Sequence, residues 1–242
     1  MKSMPYADVN GLHLYYEEHG DGQPLVLLHG GLMTIELNFA IALPALAERH
    51  RVIAVELQGH GRTADVDRPP SFADFAADVV GLLDHLGIER ADVVGFSVGG
   101  LTGYELVISH PDRIRRAVLI SADHRNDRGG EAVPGRLPTQ DDFERMRDAY
   151  LAIAPDPSAF DSVAERTSGL VASFIGWTDD QVRGIRVPVL IVVGDTDFVF
   201  VENAAETMQL LPLGQLAVLP GTTHMGVTRS ALLAPVIETF LA

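Results

Sequence analysis

Apolar residues along this chain follow two alternating rhythms. Short runs are hydrophobic at consecutive positions, as in Leu25-Val26-Leu27-Leu28 and Val189-Leu190-Ile191-Val192-Val193. Between them lie longer stretches whose apolar residues recur at helical spacing. A strand that is apolar at neighbouring positions is buried on both faces, the condition of a parallel sheet between two layers of helices. The pattern predicts strands over Leu12–Glu18, Pro24–His29, Arg51–Val55, Ala91–Phe96, Ala117–Ser121, Pro188–Val193 and Gln215–Leu219. Helices are predicted over Leu37–Arg49, Ser71–Leu86, Val98–His110, Val199–Leu210 and Arg229–Leu241. In the second of these, Ser71 can cap free backbone N–H groups, Phe72, Phe75, Ala76, Val79, Leu82 and Leu83 form one stripe, and Gly87 stops the helix. Regular alternation of strand and helix specifies the α/β class, with a doubly wound, mostly parallel sheet.

One segment breaks the alternation. Residues 122 to 186 contain no predicted strand. A polar, glycine-bearing loop from Asp123 to Gly135 opens it. Thr139 and Asp142 then resemble a capping box, followed by Phe143, Met146, Tyr150 and Leu151 on one face. A second helical pattern starts at Ser158, and Thr178 caps a third just after Trp177, the only tryptophan. The expected organisation is a core made of residues 1–121 and 187–242, with a helical insertion over 122–186.

Composition narrows the chemistry. With 242 residues the chain can bury one large core. There are no cysteines, which excludes disulfides, thiolate nucleophiles and cysteine–metal sites. A net charge of −15 repels phosphate backbones and anionic lipid surfaces, so neither nucleic acid nor membrane is an expected partner. The first residues carry no apolar core of a secretory leader, and a cytoplasmic location is expected.

Gly95-Phe96-Ser97-Val98-Gly99 lies between a predicted strand and a predicted helix. A hydrolytic serine must present its hydroxyl on a sharp strand-to-helix turn. Glycines two residues to either side remove the collisions that such a turn creates. Ser97 is therefore the candidate nucleophile. A hydroxyl needs a base. His224, in the loop after the last strand, falls at the carboxyl edge of the sheet, as Ser97 does. His124 is a weaker rival. The orienting acid should be a carboxylate on the same edge. Asp195 and Asp197 both follow Val189–Val193, and Asp123 is an outside candidate. For the developing oxyanion, the N–H of Val98 at a helix start is one donor. Gly31, in His29-Gly30-Gly31-Leu32, is the second, with Leu32 as its alternative. An Asp-x-Asp pair with no nearby histidine or acidic cluster does not make a metal site, and neither metal nor cofactor is expected.

Leu27-Leu28-His29-Gly30-Gly31, Gly59-His60-Gly61-Arg62-Thr63, the block around Ser97, His110-Pro111-Asp112-Arg113, Val193 to Asp197 and Pro220 to His224 together resemble the signature blocks of the α/β-hydrolase superfamily. The resemblance implies that Asp197, the second aspartate of its block, is the acid. It also implies that the insertion is a cap over the site. Phe143, Met146, Phe174 and Trp177 are candidates to line its pocket, although such residues more often pack the cap itself. The family often has Asp-x-Arg where this chain has Glu56-Leu57-Gln58. The expected activity is hydrolysis of a small-molecule carboxylic ester or lactone through an acyl-enzyme. The same residues could instead run C–C bond hydrolysis, acyl transfer or perhydrolysis. A receptor that retains the fold without catalysis is the non-enzymatic alternative.

Overall fold

A computed structural model describes residues 5–125 and 135–242. Its strands are β1 (Tyr6–Val9), β2 (Leu12–His19), β3 (Gln23–Leu28), β4 (His50–Val55), β5 (Ala91–Phe96), β6 (Ile114–Ile120), β7 (Val189–Gly194) and β8 (Gly214–Leu219). They form one sheet in the order β1-β2-β4-β3-β5-β6-β7-β8. Among the described residues, only the β1–β2 and β2–β4 pairings are antiparallel. The rest of the sheet is parallel, as its doubly apolar strands require.

All seven predicted strands are present. The eighth, β1, was not predicted. It pairs with β2 across Asn10-Gly11, where both residues take positive φ (48° and 81°), the geometry of a tight hairpin turn.

The helices are α1 (Ile35–Phe39), α2 (Ala42–Leu46), α3 (Phe72–His85), α4 (Val98–Ser109), α5 (Gln140–Ile153), α6 (Phe160–Ser173), α7 (Asp179–Gly184), α8 (Val201–Leu210), α9 (His224–Val227) and α10 (Leu233–Leu241). The helix predicted over Leu37–Arg49 is two short helices, α1 and α2. Pro44 has no N–H to give, and its ring would strike the carbonyl of Ala40 in a continuous helix. The helix predicted over Arg229–Leu241 begins later, at Leu233, so that Pro235 falls in its first turn, where proline is tolerated. The second pattern of the insertion starts with a 3-10 turn capped by Asp156, and α6 follows it. Most of the loop expected from Asp123 to Gly135 lies outside the described residues.

Strand side chains alternate between two cores. Val26 and Leu28 face α3 and α4, whereas Leu25 and Leu27 face α1, α2 and α10. The chain steps from β3 to β4 on one side, then returns to β5 on the other. The carboxyl ends of β3 and β5 are therefore neighbours at a point where the winding reverses. Such a point leaves a crevice above the sheet.

The segment Glu56-Leu57-Gln58 follows β4 directly. Glu56 is fully buried. Its carboxylate accepts from the N–H of Arg62 (2.5 Å), the guanidinium of Arg62 (3.0 Å) and the N–H of Ile35 (3.4 Å). Burial pushes the Glu56 carboxyl up to about 7, against the pull of Arg62. Gln58 in turn holds Arg68 and Asp65. The departure from the common family pattern is thus an anchor for the loop after β3.

Glu56→Ala should cost about 3 kcal/mol of unfolding free energy, because it orphans two N–H groups and one guanidinium contact. Urea unfolding monitored by circular dichroism checks this.

Candidate active site

Ser97 ends β5 and opens α4, with φ 53° and ψ −113°. A residue with a side chain seldom adopts such a backbone. The turn is held by Ser97 N–H donating to Ile120 O (2.8 Å) and Leu101 N–H donating to Ser97 O (2.8 Å). A Cβ on Gly95 would overlap the carbonyl of Gly99, and one on Gly99 would overlap the carbonyl of Leu28. The two glycines of the motif are therefore required by packing against backbone, as the sequence argument proposed.

Asp197 follows β7 and is completely buried. Its Oδ1 accepts from His224 Nδ1 (2.9 Å) and from the N–H of Val199 (3.0 Å). Its Oδ2 accepts from the hydroxyl of Ser121 (2.5 Å). Burial alone would raise its pKa, but the His224, Ser121 and Val199 donors hold it below the usual carboxylate range. A charged acceptor fixes the His224 tautomer, with hydrogen on Nδ1 and the lone pair on Nε2. The imidazole ring is packed between Phe198 (centroids 4.0 Å apart) and Phe96 (4.8 Å).

The rivals are engaged elsewhere. Asp195 is exposed and accepts from the N–H groups of Gly221 (2.9 Å) and Thr222 (3.0 Å). It staples the loop after β7 to the loop that carries His224. Asp123 accepts from Asn203 (3.0 Å) and from the N–H of Arg125 (3.2 Å), and pairs with His124 (3.2 Å). His124 is buried between Thr207 (2.9 Å) and Asp179 (3.3 Å). Among the described residues, no hydrogen bond or ion pair joins Asp123 or His124 to Asp197 or His224.

The loop after β3 is built to be rigid. The buried His29 gives its Nδ1–H to Gly30 O (2.7 Å) and accepts the N–H of Leu57 at Nε2 (3.0 Å). Burial, with His60 alongside, lowers its pKa to about 3, so it remains a neutral strut. Gly30 N–H is held by Asn38 (2.9 Å). Leu32 takes a left-handed backbone, φ 60°. Among the described residues, no acceptor meets the N–H of Gly31 or of Leu32. Val98, as the first residue of α4, has no intrahelical partner for its own. A Cβ on Gly31 would press on Val98 and on Thr167 of α6.

These residues share one cavity of about 750 Å³, lined by Gly31, Ser97, Val98, Phe198 and His224 and by residues of α5 and α6. The structure joins Asp197 to His224 directly and sets Ser97 on the same wall as His224. No hydrogen bond links Ser97 to His224 among the described residues. Phe143 and Met146 line this cavity, and Phe174 lines a smaller recess beside it. Trp177 lines neither. It packs on Phe174 and Tyr104 and donates to Glu105 (3.1 Å). Ser121 and Phe198 escaped the sequence reading. A serine ending a strand and an aromatic after an aspartate carry no signal of their own.

Comparison with known proteins bears on the family and the fold. A family model described as alpha/beta hydrolase fold matches residues 23–159. A protein of Rhodococcus erythropolis named non-heme haloperoxidase is 31% identical, over 91% of this chain and 93% of its own. RutD of Azorhizobium caulinodans, which carries a carbamate hydrolase name, is 37% identical, but the match spans 51% of this chain and 46% of that relative. Among solved structures, the enol-lactonase of Burkholderia xenovorans LB400 superposes with a TM-score of 0.77 at 26% identity, covering 98% of this chain and 99% of the other.

Ser121 has φ 52°, a conformation that glycine adopts freely. Ser121→Gly therefore removes strain together with a donor to Asp197. At pH 7 its unfolding free energy should stay within about 1 kcal/mol of the parent. A carboxyl held below its ordinary pKa adds stability that is complete above the unfolded value, about 4, and is lost as pH falls through the folded one. With one donor gone the folded value rises toward the unfolded one, so the acid-side loss should be smaller than in the parent and complete at higher pH. Melting temperatures measured between about pH 3 and 5 check the shift.

Proposed function

The chain belongs to the α/β-hydrolase family, and on that premise we propose that it is a serine hydrolase that cleaves a carboxylic ester or lactone through an acyl-enzyme on Ser97. The observation that carries this reading is the Asp197–His224 bond at 2.9 Å, beside a cavity whose wall also holds Ser97, Gly31 and Val98. Asp197 keeps hydrogen on Nδ1 of His224, so Nε2 is the nitrogen free to act as base. Nε2 takes the Ser97 proton as Oγ attacks the substrate carbonyl carbon. Hydrogen bonds between nucleophile and base commonly tighten only once substrate is bound. The N–H groups of Val98 and of Gly31 receive the oxyanion at the positive end of α4. His224 then passes its proton to the leaving oxygen, the C–O bond breaks, and the alcohol departs. A water deprotonated by His224 attacks the acyl-enzyme, and collapse returns the acid and the Ser97 hydroxyl. In a lactone both fragments remain joined as one hydroxy acid. The mechanism calls on no metal or cofactor.

A second reading rests on the haloperoxidase-named relative, which matches nearly the whole chain. Hydrogen peroxide in place of water would take the acyl group to a peracid and return the same Ser97 hydroxyl.

A panel of 4-nitrophenyl esters and of lactones, with fluorophosphonate labelling, tests the proposal. Ser97→Ala should abolish labelling and lower turnover by about a million-fold. Asp197→Asn should keep the fold but lower kcat by about ten-thousand-fold, because the wrong tautomer is then allowed. Parent protein that neither turns over any ester or lactone nor labels at Ser97 would overturn the reading.

A further inference from the structure

Two spaces meet at Ser97. The larger, about 750 Å³, contains His224 and Gly31. The smaller, about 110 Å³, is lined by Leu101, Ser121, Asp123, Val199 and Asn203 among others, and not by His224. Ser97, Val98, Val171 and Phe198 border both. From this division, and resting on the serine-hydrolase reading, we infer that the small recess holds the acyl side of the substrate and admits only a short, uncharged acyl group, while the large cavity holds the leaving alcohol.

The orientation follows from the proton. The base that takes the Ser97 proton must deliver it to the leaving oxygen, so the leaving group lies beside His224. In the tetrahedral intermediate the carbonyl carbon carries four groups: Ser97 Oγ, the oxyanion, the leaving oxygen and the acyl chain. With the oxyanion at Gly31 and Val98 and the leaving oxygen at His224, the chain points to the remaining space. That space is the recess without His224.

Size and charge then set the acyl group. At about 110 Å³ against about 750 Å³, the recess takes the smaller of the two groups that flank the scissile carbonyl. The apolar part of the wall is Leu101, Val171, Phe174 and Val199. Its polar end is crowded with charge. Asp123 is held ionised: burial opposes this, but His124, the Arg125 N–H and Asn203 outweigh it. Arg125 is paired with Glu206 at 2.7 Å. Among the described residues, Asp123 is a carboxylate on the recess wall and the Arg125 guanidinium is shared with Glu206, so an acyl group bearing its own carboxylate is disfavoured.

The test varies one side of the ester at a time. With 4-nitrophenol as the constant leaving group, kcat/KM should be highest for acetate to butyrate and fall at least tenfold by octanoate. The hemisuccinate should react at least tenfold more slowly than butyrate. With acetate as the constant acyl group, lengthening the alcohol from ethyl to octyl should not lower kcat/KM. Leu101→Ala should move the acyl optimum to longer chains without moving the alcohol optimum. Val199→Ala serves the same purpose if the first variant does not fold, and stoichiometric phosphonate labelling of Ser97 reports folding. An octanoate preference in the parent, or a shift confined to the alcohol series, overturns the assignment of the recess while leaving the serine-hydrolase reading intact. Absence of all turnover and labelling overturns both.

Discussion

An ionised carboxylate with no exposed surface is the constraint around which this site is arranged. Asp197 would be costly to bury alone. It is tolerated because Ser121 from the end of β6, the Val199 N–H beyond β7 and His224 beyond β8 all donate to it. Hydrogen bonds to a charged group are each worth roughly 1.5–3 kcal/mol. One acid therefore gathers the exits of three adjacent strands, and the imidazole orientation is a by-product of that gathering. Asp195, two residues earlier, does the complementary work in the open by tying the loop after β7 to the His224 loop.

Much of this was legible in the sequence, and for physical reasons. Strands buried on both faces must be apolar at consecutive positions, so β3, β5 and β7 announced themselves. The turn at Ser97 tolerates only glycine at 95 and 99, because a Cβ at either meets backbone rather than a movable side chain. Choosing between Asp195 and Asp197 was harder. Both leave the same strand at the same edge, and only the family resemblance separated them. The structure pairs His224 with Asp197 alone.

What was not legible had no local cause. Ser121 is conspicuous only once its 2.5 Å bond to a residue far along the chain is seen. Phe198 gains its meaning from lying 4.0 Å from the His224 ring. Sequence alone left Trp177 between pocket and packing, with packing the commoner role, and it anchors the insertion to α4 through Tyr104 and Glu105. The strand β1 was missed although Asn10-Gly11 is a strong hairpin signal. The break between α1 and α2 was written in Pro44.

The base is carried beyond β8, and among the described residues β8 pairs with β7 alone, at the outer edge of the sheet. Edge elements open at lower free energy than the middle of a sheet. Warming should therefore release this margin before the interior strands separate. Function would fade below the temperature at which the fold collapses, and cooling would bring it back. Clamping the rim of the sheet, with no change to its interior, would widen the thermal range of the enzyme.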